Sequence, residues 1–129
     1  MAFSNYMEDQ ITGWINGSTF ASAPTSTFVQ VYSQDPTDAG SATGALYTRI
    51  EVASGGWTRG TGGNGTLTNT SAITITASAA SGATVTHVAV FDSLTGGNML
   101  FAGALASSKT IASGDEVKFN ATSITLTVA

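Results

Sequence analysis

Apolar and polar positions alternate with two different periods along this chain. Phe3, Met7, Ile11, Trp14 and Ile15 recur at spacings of three or four, the signature of one apolar helical stripe. Ser4 is placed to cap such a helix, Glu8 and Asp9 sit in its first turns where the helix dipole favours negative charge, and Gly17 is a natural stop. Gly13 weakens the helix by about 1 kcal/mol relative to alanine. A helix of roughly three turns is marginal alone. Its stripe is therefore expected to dock on its own domain or on a neighbouring protein.

After Thr19 the period shortens to that of strands. Strand-like segments are Phe28 to Ser33, Leu46 to Val52, two short pieces within Thr66 to Thr76, Lys109 to Ile111, Val117 to Phe119, and Thr122 to Val128. Leu46, Thr48, Ile50 and Val52 are expected on one face of their strand, with Tyr47, Arg49 and Glu51 on the other. Ile124, Leu126 and Val128 should share a face in the last. Turn-forming stretches, Gln34 to Gly44 and the glycine-rich Gly55 to Gly65, separate the strands. The most informative segment is Thr84 to Leu105, TVTHVAVFDSLTGGNMLFAGAL, where two apolar runs flank Leu94–Asn98, whose glycines permit a hairpin loop. These runs are too apolar for a hairpin wet on both faces, so it should lie at the centre of the domain.

About eight strands with regular turn signals predict an all-β fold, a β-sandwich or jelly-roll-like barrel with one short N-terminal helix. At 129 residues the chain suits one domain: residues 1–17 as the helix and 18–129 as the sandwich. No internal repeat or linker interrupts it.

Composition sharpens this picture by exclusion. Charged residues are 9% of the chain, against roughly 25% in an average soluble protein. Ser and Thr supply most of the polar surface, as in secreted or particle-bound β proteins. Weak charge also removes one of the forces that keep monomers apart. The formal net charge is −4, and the basic residues Arg49, Arg59, Lys109 and Lys118 are scattered, so direct nucleic-acid binding is not expected. The chain has no cysteine, which removes disulfides and thiolate metal sites; a small unstapled domain often gains stability from partner subunits. The beginning MAFSNYMEDQ lacks the features of a signal peptide, and Met99 to Ala106 is too short to span a bilayer. Neither export by a signal peptide nor membrane insertion is expected.

Candidate chemistry is sparse. Gly60 to Gly65 matches G-x-G-x-x-G, but a dinucleotide site needs that motif between a strand and a helix, and TLTNTSAITITA downstream is strand-like. The stretch GGNGTLTNT approaches a calcium-binding β-roll repeat, but Leu67 stands at the aspartate position. Asp35 and Asp38, in DPTD, are candidate calcium ligands, though calcium takes about six to eight oxygens; capping the turn around Pro36 is their expected role. His87 is the sole histidine, so zinc lacks further ligands and a structural histidine is expected. A triad with Asp92 or Asp115 lacks a G-x-S-x-G elbow, and no pair of carboxylates is marked for glycoside hydrolysis. Neither catalytic residues nor a cofactor are assigned. Trp14, Trp57, Tyr47 and Tyr32 could stack on sugars, but aromatics are more often core or interface residues. Phe3, Met7, Ile11, Trp14 and Trp57 are the interface candidates.

The motifs resemble a family of small bacteriophage virion proteins, often labelled tail-fibre-like, some of which serve as head decoration or cement proteins. The resemblance begins at Ala2-Phe3-Ser4-Asn5-Tyr6 with Glu8-Asp9, continues through Ser33-Gln34-Asp35-Pro36-Thr37-Asp38, and includes Gly55-Gly56-Trp57-Thr58-Arg59. It is strongest at Val85-Thr86-His87-Val88, Phe91-Asp92, Thr95 to Phe101 and Gly103-Ala104-Leu105, and ends with Ser113-Gly114-Asp115 and the Thr-rich last strand. The glycine-rich Gly60 to Gly65 and the polar Gln10 depart from it. The resemblance implies a non-enzymatic structural subunit on the virion surface, made in the bacterial cytoplasm and assembled as a homotrimer. The expected function is capsid decoration, a cement protein bound to the major capsid protein. The alternative is a tail or tail-fibre component bound to a tail protein, followed by a host-glycan-binding module.

Overall fold

A computed structural model describes residues 1–77 and 83–128. Among them lie one helix, α1 (Asn5–Ile15), and ten strands: β1 (Ala2–Phe3), β2 (Ser26–Tyr32), β3 (Ala45–Ala53), β4 (Trp57–Arg59), β5 (Thr66–Asn69), β6 (Ile73–Thr76), β7 (Ala83–Phe91), β8 (Met99–Ile111), β9 (Glu116–Phe119) and β10 (Thr125–Thr127). The fold is all-β and sandwich-like. An antiparallel sheet in the order β1-β8-β7-β2-β3 packs against two smaller sheets, β10-β5-β4 and β6-β9.

Alternation builds the core. Val29 and Val31 of β2, Val85, Val88 and Val90 of β7, and Phe101 of β8 project inward from the large sheet. They meet Ile73 and Ile75 of β6, Val117 and Phe119 of β9, and Ile124 and Leu126. Burying these side chains, at roughly 1.5–3 kcal/mol each, supplies the main driving force for the two layers. The outer face of the large sheet carries a second buried group, Tyr32, Ala89, Phe91 and Met99. This explains why the β7–β8 hairpin is apolar on both faces.

The outer group lies beneath α1 and the 33–44 connection. Ser4 joins these layers: its N–H donates to Leu100 O at 3.0 Å, its hydroxyl donates to Met99 O, and its Oγ accepts from Met7 N–H at 3.2 Å. The expected cap therefore also pins the helix start to β8. Gly17, at φ 95°, closes the other end, its N–H donating to Trp14 O.

Several local expectations need correction. Phe3 is not part of the helical stripe: it pairs with Phe101 as the edge strand β1. Trp57 to Arg59 is β4, paired with β5, within the segment expected to be loop. Lys109 to Ile111 is no separate strand but the end of β8, which bulges against β7 between the Val85–Lys109 and His87–Ala104 pairs. Clean alternation in β3 also fails. Extra residues are inserted between the Val29–Ile50 and Val31–Leu46 pairs, and Tyr47 takes a positive φ of 61°. Val128 is 47% exposed rather than sharing the burial of Ile124 and Leu126, because β10 pairing ends at Thr127.

Candidate functional site

The bulge in β3 sets up a polar network on the large sheet. A bulge frees backbone carbonyls from the ladder, and Gln30, buried on the neighbouring strand, answers them. Its Nε2 donates to Leu46 O, to Tyr47 O at 3.1 Å and to Val31 O at 3.3 Å. Its Oε1 accepts from Arg49 Nε at 3.3 Å. Arg49 then reaches across the sheet, Nη1 donating to Ser93 O at 2.6 Å and Gly96 O at 2.8 Å. Its guanidinium lies 3.6 Å from the Phe91 ring centroid, a cation–π contact. Burial lowers the Arg49 pKa, offset in part by Tyr32 and Asp92, and raises that of Tyr32. Arg49 clamps the hairpin tip to the body.

The tip itself spans Asp92 to Asn98, longer than the expected Leu94–Asn98 turn. Asp92 closes its base: Oδ1 accepts Asn98 N–H at 2.7 Å and Oδ2 accepts Asn98 Nδ2–H at 3.0 Å. Gly97, at φ 69°, has no room for a Cβ, which would stand 2.5 Å from Asp92 Oδ1. The TGGN motif thus encodes one rigid loop rather than a flexible link.

Apolar side chains flank this polar tip. Leu94 is exposed there, and Phe20 shares a concavity with Tyr6, Met7, Asp92 and Leu100. Gln10 Oε1 accepts Ala21 N–H at 2.8 Å, holding the segment after α1 against the helix. Trp14 and Ile15, at the end of α1, are 63% and 73% exposed. No residue of α1 is fully buried.

The interface candidates therefore part company. Phe3 is half-buried against the core, and Met7 and Ile11 are half-buried on α1. Trp57 is also half-buried: its Nε1–H donates to Thr27 Oγ1 at 2.8 Å and its ring meets Phe101 edge-on, 5.7 Å between centroids. Trp14 stands out in solvent.

Of the candidate ligands, the Asp35 carboxylate is already committed to a turn. Asp35 Oδ1 accepts Thr37 N–H at 2.8 Å, the turn-capping role; the bond at Asp38 is made by its backbone carbonyl, which accepts Asn5 N–H at 2.8 Å. His87 shares one shallow concavity with both aspartates, and its Nδ1 is 2.8 Å from Thr86 Oγ1. Among the described residues no group of three or more His, Asp or Glu could hold a metal ion. Gly60 to Gly65 links β4 to β5 as a hairpin, with Gly60 N–H donating to Thr66 O at 2.8 Å, so no helix follows it. No helix among the described residues is long and apolar enough to cross a membrane.

Sequence comparison supplies what the geometry leaves open. A family model described as podophage GP4 fiber I protein gp80 matches residues 2–127. The chain belongs to this family. The match covers every element from β1 to β10. Membership makes the chain a phage virion structural protein. The family's description as a fiber protein fits the tail or tail-fibre alternative better than the capsid-cement expectation. No curated protein matches the chain.

Proposed function

We propose that this chain is a non-enzymatic structural subunit of the phage tail or tail fibre. It assembles with copies of itself, as a homotrimer, and attaches to a longer tail protein. The observation that carries this reading is the end-to-end match to a family described as a podophage fiber protein. The side chains are consistent with it. The polar groups that sequence reading marked for chemistry close turns and cap loops, while large apolar side chains remain in solvent at the helix end. The chain's strands fold back on one another as a sandwich instead of running along a common fibre axis. It acts as an adaptor or tip element.

Gold labelling of intact virions with an antibody to this chain, together with copy counting by quantitative mass spectrometry, tests the assignment. Label on the tail at a few copies per particle is expected. Label spread over the head, at a copy number proportional to coat protein, would replace this reading with capsid decoration.

A further inference from the structure

The end of α1 and a cleft at the edge of the sandwich complement each other. The helix end presents Trp14 and Ile15, 63% and 73% exposed. Its charged residues are Glu8 and Asp9, and its last turn has no basic residue to offset the partial negative charge of the helix C-terminus. Eleven residues are too few for a stable helix on propensity alone. The outer half of α1 also buries little against its own chain.

The cleft, of about 310 Å³, opens where β8 bulges away from β7, beside β9. Its floor and walls are apolar, with Val117, Phe119, Leu105 and Met1 among them, and Lys109 and Lys118 line it as well. These are two of the four basic residues in the chain. Of the others, Arg49 is committed to the hairpin tip. No ion pair holds either lysine ammonium among the described residues. Of the nearby carboxylates, Asp115 accepts Ala112 N–H, and Glu116 lies on the exposed side of β9 with Lys118.

We propose that the cleft receives the Trp14–Ile15 end of α1 from a second copy of this chain. The apolar side chains fill the cleft, and Lys109 and Lys118 meet the helix C-terminus and the face of Trp14. A surface that meets a different surface on its neighbour makes a head-to-tail contact, which closes into a ring or runs on as a filament. The inference rests on the structural-subunit reading and deepens it by naming both sides of the self-contact.

Sedimentation of the purified full chain tests it. Wild type is expected to associate, and Trp14→Glu and Lys118→Glu are each expected to raise the dissociation constant at least ~10-fold. Circular dichroism checks that each variant is folded, and Ile15→Glu serves as a second helix-end variant. The decisive arm mixes the two variants. Trp14→Glu keeps an intact cleft and Lys118→Glu keeps an intact helix end, so the mixture is expected to form a heterodimer and nothing larger. A monomeric wild type, an assembly indifferent to either substitution, or a mixture that gives no heterodimer would each overturn the proposal. Virion labelling is independent of these results. A tail-located chain that stays monomeric sinks only this contact; a head-located chain that assembles this way sinks only the tail assignment.

Discussion

Single polar residues hold the smaller layer of this sandwich together. Asn69 is fully buried at the end of β5, where its amide links two turns. Nδ2 donates to Ser71 O and Asn120 O, both at 2.9 Å, and Oδ1 accepts Ile124 N–H at 2.9 Å. The sheets β10-β5-β4 and β6-β9 share no ladder, so this side chain is a direct polar join between their connections. Asn69→Ala leaves the buried Ile124 N–H without its partner and removes the bonds to Ser71 O and Asn120 O; it is expected to cost about 1–3 kcal/mol, read as a lower urea midpoint at unchanged slope. An asparagine in TLTNTS reads as a turn residue, because sequence spacing does not show that Asn120 and Ile124 lie against it. Gln30 is similar. It interrupts an apolar strand, FVQVY, and only the pairing of β2 with the bulged β3 gives its amide partners.

At the scale of elements, the β7–β8 hairpin was legible in advance and its fastening was not. Alternation, the TGGN tip and the apolar runs identify two strands around a loop. They do not identify Arg49, 44 positions from Ser93 in sequence, as the group that holds that loop. Arg49→Ala is expected to destabilise the fold by about 2–4 kcal/mol through three lost charge-assisted hydrogen bonds and the Phe91 contact. Arg49→Lys is expected to recover less than half of that loss, because a single ammonium does not reproduce the planar fork. Urea melts measure both, and exchange of the Asp92 and Asn98 amides, which are bonded across the base of the tip, should quicken before the core opens. For α1, cap and stop residues are local and were readable. A spacing of four places Phe3 on the helical stripe, while its pairing with Phe101 depends on residues far apart in sequence.

For the molecule as a whole, the buried outer group ties stability to pH at the alkaline end. Burial raises the Tyr32 pKa from its ordinary 10.0, with Arg49 acting in the opposite direction. A raised pKa means that the folded state holds the proton more tightly than the unfolded chain. Its contribution is fully present below pH 10 and is lost as pH rises through the folded-state pKa. The melting temperature is therefore expected to fall above pH 10, less steeply in Tyr32→Phe than in wild type; parallel slopes would contradict the assignment. Low charge has its own consequence at this scale. With the four cations divided between an internal clamp, the β4 strand and the cleft, little like-charge repulsion opposes self-association.

Sequence alone determined what depends on local periodicity and composition. That includes the all-β class, the capped helix ending at Gly17, the central hairpin, and a family resemblance that reached the phage virion. Tertiary structure decided what depends on residues distant in sequence. It split the smaller layer into two sheets, turned Phe3 and Trp57 inward, left Trp14 in solvent, and made Arg49, Gln30 and Asn69 into fasteners. The physical reason is that a side chain's neighbours across a sheet are set by strand register, and bulges shift that register without a strong mark in the local pattern.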